Sequence, residues 1–247
     1  MTSPTLLTAK PDANEHARPK LILPIGSGRT GKSFWSRWLI ERAADRGAPL
    51  EIIDGDTVAP GLARIYKDAQ LAPDATFPAD QHKWFERAIE AAALSRRSAI
   101  VDFGPSLFGF ADWLADAPLA LAMEEAGVDL VAVYFLTPDP YSLPRLPYLI
   151  DLIKPPRTVI VLNEWGLDTN SIPSAFDAIL KDTAVVAARA DGARIVAMPD
   201  LPDAERLEGI RRRRPALTRD PRQDDPVFSG WLDRMDEAFA PVADWIV

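Results

Sequence analysis

Eight consecutive residues carry the strongest chemical signal in this sequence, a match to G-x-x-x-x-G-K-[S/T] at every fixed position. The glycines let the backbone curl so that consecutive N–H groups point at phosphate oxygens. Lys32 is expected to reach the β- and γ-phosphates and the Ser33 hydroxyl to ligate Mg²⁺. We therefore predict that a nucleoside triphosphate binds at these residues and at Phe34, which follows them. The eight residues are Gly26, Ser27, Gly28, Arg29, Thr30, Gly31, Lys32 and Ser33.

A second stretch ends in a carboxylate that could complete a magnesium site. Asp102 closes the apolar run 98–101, and Gly104 follows two residues later. Phosphoryl transfer requires a carboxylate in the Mg²⁺ shell, and Asp102 is our candidate for it. Gly104 would let the backbone approach the γ-phosphate and respond to its loss. The alternative is that Asp102 only caps the following turn.

Two further carboxylates, Asp54 and Asp56, flank Gly55 at the end of a short predicted strand. Two acids close to a triphosphate repel it unless Mg²⁺ lies between them. We expect one to touch the shell of the metal and the other to position the attacking water. The spacing does not decide between them; our assignment gives Asp54 to the metal and Asp56 to the water. An Asx-turn role for both is the alternative.

The nucleobase side is predicted from the ends of two later strands. Asn163 follows a buried run and offers both a donor and an acceptor, which suits a purine edge, although a turn-forming asparagine fits as well. Pro199 follows the last predicted strand. Because the sequence contains no Asn-Lys-x-Asp stretch of the GTPase kind, we favour ATP as the nucleotide.

Apolar runs and helical periodicity alternate at least five times along the chain, which predicts an α/β fold with a doubly wound, mainly parallel sheet and helices on both faces. In such sheets ligands bind at the carboxyl ends of the strands. The polar residues described above all follow predicted strands. The predicted strands are 21–25, 50–54, 98–102, 130–136, 158–163 and 194–198; the predicted helices are 34–46, 84–93, 110–126, 141–153, 172–190 and 228–246.

Composition limits the classes of function. The chain has 247 residues and a net charge of −8, so its overall field repels nucleic acid and anionic lipid. It has no cysteine, which excludes disulfides and thiolate metal sites. Because the sequence contains two histidines, His16 and His82, it does not favour a histidine-based triad or metal site. With no secretory signal pattern and no membrane-length apolar run, we expect a cytoplasmic protein without membrane contact.

We expect a mobile tail over residues 1–19 and a single domain over residues 20–247. The amphipathic helix predicted at about 228–246 has an acidic polar face, so packing onto the domain is favoured over a membrane surface. The run Arg211–Arg214 could contact DNA, but nearby acidic residues and the negative net charge favour a solvated linker.

On the basis of these residues and their order, the chain resembles the ParA/MinD-type P-loop ATPases of the SIMIBI class. Within that class it is most similar to the TraL/StbB-like proteins of conjugative and mobilisable plasmids. The resemblance covers about residues 20–200. The segments that carry it are GSGRTGKS (26–33), EIIDGD (51–56), AIVDFGPSLFGF (99–110), VIVLNEWG (159–166) and IVAMP (195–199).

The resemblance implies roles for individual residues and for the whole chain. It makes Lys32 and Ser33 the phosphate and Mg²⁺ residues, and it places Asp56 in a first switch and Asp102 in a second. Asn163 and the turn at Pro199 would frame the adenine. It also implies a nucleotide-dependent homodimer that acts with a protein partner in plasmid transfer, maintenance or positioning.

One departure from the family pattern concerns the loop itself. The usual loop reads K-G-G-x-G-K-[S/T], and its first lysine reaches the nucleotide of the partner subunit. Here Ser27 takes that place, and Arg29 takes the place of the second glycine. Arg29 could substitute as the crossing cation, because a guanidinium suits phosphate geometry. The alternatives are that no such dimer forms or that hydrolysis is slow.

Three functions from different classes fit these patterns. The first is a molecular switch that binds and slowly hydrolyses ATP with Mg²⁺. The second is a small-molecule kinase or ligase, with an acceptor pocket lined by the loop 57–80 and the aromatic segment 103–113. The third is a DNA-binding module that uses the arginine run. The pair of acidic loops beside the phosphate loop favours the switch.

Overall fold

The computed structural model describes residues 18–56, 59–72, 78–103, 114, 118–168, 171–201 and 226–247. Most of the predicted tail, Gly104 and the run Arg211–Arg214 lie outside this part of the chain. Arg18 pairs with Asp129, with its Nε atom 3.3 Å from Oδ1. The Pro19 carbonyl accepts a hydrogen bond from the Asp129 N–H at 2.8 Å. Residues 18 and 19 therefore belong to the packed domain and not to the predicted tail.

The described residues form one sheet of seven strands in the order β3-β2-β4-β1-β5-β6-β7, and every neighbouring pair is parallel. This confirms the predicted fold class. The short strand β3 was not predicted, because two exposed residues carry no periodic pattern. The strands are β1 (Lys20–Ile25), β2 (Glu51–Asp54), β3 (Gln70–Leu71), β4 (Ala99–Asp102), β5 (Asp129–Leu136), β6 (Arg157–Asn163) and β7 (Arg194–Met198).

Helices lie in most of the connections between these parallel strands, and three of the predicted helices are broken into pieces. The predicted helix 141–153 divides into a 3₁₀ turn at Pro140–Ser142 and an α-helix at Leu146–Ile153. Residues 172–190 form three short helices, and the C-terminal helix is interrupted by a 3₁₀ turn at Ala240–Val242, where Pro241 cannot continue an α-helix. The helices are α1 (Lys32–Asp45), α2 (Pro78–Ser95), α3 (Leu119–Glu125), α4 (Leu146–Ile153), α5 (Ile172–Ala175), α6 (Asp177–Leu180), α7 (Thr183–Ala190), α8 (Pro226–Phe239) and α9 (Ala243–Ile246). Within the described ranges, no helix combines the length and apolarity needed to cross a bilayer.

Alternating side chains of the strands supply two hydrophobic cores, one on each face of the sheet. Leu21 and Leu23 of β1 pack on the face covered by α2, α3, α4 and α7. Ile22 points to the opposite face, which is covered by α1, α8 and α9. Because both faces are covered, the central strands are apolar throughout, as expected for a parallel sheet.

Helix α8 packs against the helix that follows the phosphate loop. The Trp231 side chain is fully buried, and its ring centroid lies 4.9 Å from that of Phe34. The Trp231 indole N–H donates to the Pro199 carbonyl at 3.1 Å. A salt bridge of 2.7 Å joins Arg42 to Asp236. The C-terminal helix therefore connects the start of α1 to the turn after β7.

Candidate functional site

The phosphate loop connects the end of β1 to the start of α1, and its tight path explains one of its glycines. Gly31 has a φ of +91°, a left-handed conformation that side chains rarely adopt. A Cβ atom there would lie 2.7 Å from Met198 Cε and 2.8 Å from Asn163 Nδ2. The Thr30 hydroxyl donates to the Ser27 carbonyl at 2.9 Å and closes the loop on itself. These internal contacts therefore fix the path of the loop.

Lys32 is buried at the centre of this loop. Its ammonium group donates to the carbonyl oxygens of Gly26 and Ser27, each at 2.8 Å. Burial lowers the pKa of Lys32 from its ordinary value, and the nearby carboxylates of Asp102 and Asp56 oppose that shift. The loop thus holds a positive charge where the sequence predicts the phosphates.

Ser33 and Asp102, two residues predicted for a magnesium site, are in contact in the structure. Because β4 lies next to β1 in the sheet, the carboxyl end of β4 reaches the start of α1. The Ser33 hydroxyl donates to Asp102 Oδ2 at 3.2 Å. No group of three or more histidines, cysteines, aspartates or glutamates that could hold a metal occurs among the described residues. A hydroxyl, one carboxylate, substrate phosphates and water still fit Mg²⁺, which is rarely bound by an all-protein cage.

Asp54, which we assigned to the metal shell, has its carboxylate engaged by backbone N–H groups. Its side chain is fully buried. Its Oδ1 atom accepts from the Asp56 N–H at 3.1 Å, and its Oδ2 atom accepts from the N–H groups of Leu62 and Ala63 at 2.9 and 2.8 Å. Burial raises the pKa of Asp54, and these backbone bonds partly offset the rise. The structure thus assigns Asp54 to anchoring the loop after β2, and its bond to Asp56 is an Asx-turn of the kind weighed as the alternative.

Asp56 lies at the start of the loop that Asp54 anchors. Its side chain is buried, and its Oδ1 atom accepts from the Ala59 N–H at 2.9 Å. Gly61 in the same loop comes close to Ser33, since a Cβ atom built there would lie 3.8 Å from Ser33 Oγ. The segment predicted as the first switch therefore approaches the first turn of α1, a proximity that the sequence pattern does not reveal.

Asn163 sits beneath the phosphate loop. Its Nδ2 atom donates to the Thr30 carbonyl at 3.0 Å, and its Oδ1 atom accepts from the Trp165 N–H at 3.0 Å. Both amide groups are therefore engaged, one with the loop and one in the turn that we weighed as the alternative role. The structure gives Asn163 a positioning role, and its predicted contact with the base stays a prediction.

Two other predicted site residues face the C-terminal helix. The Pro199 carbonyl accepts the Trp231 hydrogen bond, and the Phe34 ring packs on the Trp231 ring. Arg29 is exposed at the crest of the loop with a φ of +62°, a left-handed conformation that costs a non-glycine residue about 1 kcal/mol. This strain marks the position where the family pattern has glycine.

The parallel sheet, the phosphate loop between β1 and α1, and Asp102 on the neighbouring strand together define the P-loop NTPase fold. No protein-family model matches the chain, and no curated protein matches it.

Solved structures are similar in fold. Chloroplast FtsY from Physcomitrella patens has 15% identity and a TM-score of 0.45, over 74% of this chain and 59% of that one. Cell division protein FtsY from Thermotoga maritima has 15% identity and a TM-score of 0.47, over 72% and 60%. Signal recognition particle receptor FtsY from Elizabethkingia anophelis, in complex with GDP, has 13% identity and a TM-score of 0.45, over 75% and 58%. The chain thus spans about three fifths of the length of these proteins, and the similarity concerns the fold alone.

Proposed function

We propose that this chain is a Mg²⁺-dependent molecular switch that binds ATP and hydrolyses it slowly. The observation that carries the proposal is the contact between the Ser33 hydroxyl and Asp102 Oδ2 at 3.2 Å. The ammonium group of Lys32 is buried, and the charge of the same Asp102 carboxylate acts on its pKa. A cation, a hydroxyl and a carboxylate are the three groups that a triphosphate with Mg²⁺ requires at this position.

Each of these residues has a defined task in the proposed reaction. Lys32 exchanges its two carbonyl partners for phosphate oxygens. Ser33 would hold the metal through its hydroxyl, and Asp102 would orient the water shell of the metal. The chemistry that Mg²⁺ would supply there is neutralisation of charge on the phosphate oxygens. Asp56 orients the attacking water at the start of the loop that Asp54 holds in place.

The switch itself would be the loop after β2. It is anchored at Asp54, it approaches Ser33 at Gly61, and it docks on α1 through a 2.7 Å hydrogen bond from the Tyr66 hydroxyl to Glu41. A group that binds to Ser33 or leaves it therefore acts on the loop after β2. That loop is also attached to α1, through the hydrogen bond between Tyr66 and Glu41. Segments ordered by a γ-phosphate and released on hydrolysis are a known form of switching.

Magnesium dependence gives the first test. The Asp102→Asn variant should lower the rate of Mg²⁺-dependent hydrolysis by about 10- to 100-fold, the usual effect of removing a residue that orients a metal shell. Binding of the nucleotide without Mg²⁺ should change little. Phosphate release is measured with ATP and with GTP in parallel, with and without EDTA.

The same assay checks the choice of nucleotide and the role of the metal. Faster turnover of GTP than of ATP would overturn the assignment to ATP. Equal rates for the variant and the original protein would remove Asp102 from the metal shell. The exposed Asp139→Asn substitution is the matched control, and it should leave hydrolysis unchanged.

The resemblance to ParA/MinD-type ATPases supports a further part of the proposal, a nucleotide-dependent homodimer that engages a protein partner in plasmid transfer, maintenance or positioning. Arg29 is the cation that we assign to the nucleotide of the partner subunit, because it is exposed on the loop and a guanidinium matches phosphate geometry. Contact with DNA through Arg211–Arg214 stays a prediction.

Light scattering tests the dimer. The protein should be monomeric without nucleotide or with ADP and should double in mass with a non-hydrolysable ATP analogue. Arg29→Ala should weaken this dimer by about tenfold or more, the effect of losing a charge-assisted hydrogen bond. Arg96→Ala is a close control, since Arg96 is also exposed and left-handed, with a φ of +56°. An unchanged mass in all nucleotide states would contradict the dimer.

A further inference from the structure

Two loops of the candidate site are joined at their roots by a backbone hydrogen bond. Asp54 and Asp102 pair in register at the ends of β2 and β4. Just beyond them, the Gly55 N–H donates to the Asp102 carbonyl at 2.7 Å. Asp56 follows Gly55, and Phe103 follows Asp102. The segments that carry the two carboxylates assigned to the attacking water and to the metal shell, Asp56 and Asp102, therefore start side by side.

Phe85 of α2 lies against both of these segments. Its side chain is buried. A Cβ atom at Gly55 would lie 2.5 Å from Phe85 Cζ and 2.6 Å from Phe85 Cε1, so the ring packs directly on the Gly55 backbone. The ring centroid lies 4.8 Å from that of Phe103 and 5.1 Å from that of Trp84. Because close-packed side chains transmit a displacement to their neighbours, a change at this ring reaches both segments.

The contact with Phe85 explains why residue 55 is a glycine. Gly55 does not have a positive φ, so its backbone conformation does not itself require glycine. Space is the limit, because carbon atoms in contact normally lie about 3.5–4.0 Å apart. A Cβ atom here would come within 2.5 Å of the ring and would lie 3.2 Å from the Asp102 carbonyl oxygen. Glycine at this position therefore makes room for the ring.

We propose that Phe85 is a positioning residue of the nucleotide site, which sets Asp56 and Asp102 relative to each other by packing on Gly55 and Phe103. This role rests on the proposed function, in which Asp56 orients the attacking water and Asp102 orients the water shell of the metal. The ring acts through the backbone that carries these carboxylates and does not touch the nucleotide. A misplacement of a catalytic group by about 1 Å can lower a rate about 100-fold.

The kinetic test replaces Phe85 by leucine, which keeps an apolar side chain but removes the outer ring atoms nearest Gly55. Phe85→Leu should lower kcat for Mg²⁺-dependent ATP hydrolysis by about 10- to 100-fold, the range for groups that orient a catalytic or metal-bound residue. KM should change by less than about twofold, because the phosphate loop supplies the affinity and KM reports it when chemistry is slow. Phosphate release over a series of ATP concentrations measures both constants.

The matched control makes the same substitution elsewhere in the same hydrophobic core. Phe176 is 4% exposed, belongs to the core on the same face of the sheet as Phe85 and lies between α5 and α6. This connection joins β6 to β7, toward the opposite end of the sheet from β2. Phe176→Leu should therefore lower the melting temperature as Phe85→Leu does but should leave kcat unchanged. Melting temperatures are measured in EDTA without nucleotide.

A second measurement tests the contact itself without nucleotide or metal. Gly55→Ala places a Cβ atom against the ring and should lower the melting temperature in EDTA. Adding Phe85→Leu should raise it again, since residues in contact are not additive and the ring atoms nearest the new methyl group are gone. Recovery should be partial, because the Asp102 carbonyl oxygen still lies 3.2 Å from the Cβ position. If Gly55→Ala does not fold, a folded double variant counts as the same recovery.

Four results would overturn the positioning role. They are an unchanged kcat in Phe85→Leu, an equal loss of kcat in Phe176→Leu, a rise in KM with kcat unchanged, and a double variant no more stable than Gly55→Ala. A protein that hydrolyses neither ATP nor GTP would overturn the proposed function and this role with it. Hydrolysis that Phe85→Leu leaves intact would remove the positioning role alone.

Discussion

The Lys32→Ala variant is expected to lose ATP affinity by roughly 150-fold or more. In the structure, the Lys32 ammonium group makes two hydrogen bonds of 2.8 Å to loop carbonyls. A bound triphosphate would replace them with two charge-assisted bonds, each of about 1.5–3 kcal/mol. Their combined loss of at least about 3 kcal/mol corresponds to that ratio of dissociation constants. Calorimetric titration with Mg²⁺ and a non-hydrolysable ATP analogue measures the change directly.

The fold should survive this substitution. The Gly26 and Ser27 carbonyls lie in a partly open loop, so water can replace the lost ammonium donor. Removal of the buried charge also removes its desolvation penalty. Lys181→Ala is the matched control, because Lys181 is exposed and forms a surface salt bridge of 3.6 Å with Asp177, the first residue of α6. An unchanged affinity in Lys32→Ala, with an intact melting transition, would refute nucleotide binding at this loop.

The sequence predicts the main architecture because the signals involved are local. The run from Gly26 to Ser33 matches a fixed pattern, and the buried strands are apolar throughout, so both are visible within a short window. The contact between Ser33 and Asp102 also follows, since the carboxyl ends of parallel strands meet at one edge of the sheet.

Local sequence patterns do not show where an individual side chain points. Asp54 and Asp56 are two residues apart, and spacing alone cannot show that three N–H groups of a later loop converge on Asp54. Asn163 likewise ends a buried strand, but its bond to Thr30 joins residues 133 positions apart. Tyr134 looks like any other member of an apolar strand in the sequence, although its buried hydroxyl has no hydrogen-bond partner among the described residues.

Asn163 and Asp54 have the same kind of role in the structure, since each of them supports a loop of the candidate site. Asn163 donates to the phosphate loop at Thr30, and Asp54 accepts from the loop that approaches Ser33. Two polar residues that we first assigned to ligands therefore bind the protein backbone, while the assignment of Lys32, Ser33 and Asp102 to the nucleotide and its metal stays a prediction. Catalytic groups need such support, because their positions must be fixed before the ligand arrives.

The Asp54→Ala variant is expected to lose about 2–4 kcal/mol of unfolding free energy without nucleotide or metal. The substitution leaves the N–H groups of Asp56, Leu62 and Ala63 without their acceptor. A buried donor without a partner costs about 1–3 kcal/mol. The sum is reduced because the loop can open toward water, and because a buried carboxylate is itself costly. Urea denaturation in the presence of EDTA measures the loss.

The two roles considered for Asp54 give opposite results in this experiment. An anchor acts without metal, whereas a residue of the metal shell affects stability only when Mg²⁺ and nucleotide are bound. Asp139→Ala is the matched control, because Asp139 accepts one backbone hydrogen bond in an exposed turn and should cost about 0.5–1 kcal/mol. If Asp54→Ala is as stable as this control in EDTA but binds Mg²⁺ and ATP less tightly, then Asp54 serves the metal and the loop has another anchor.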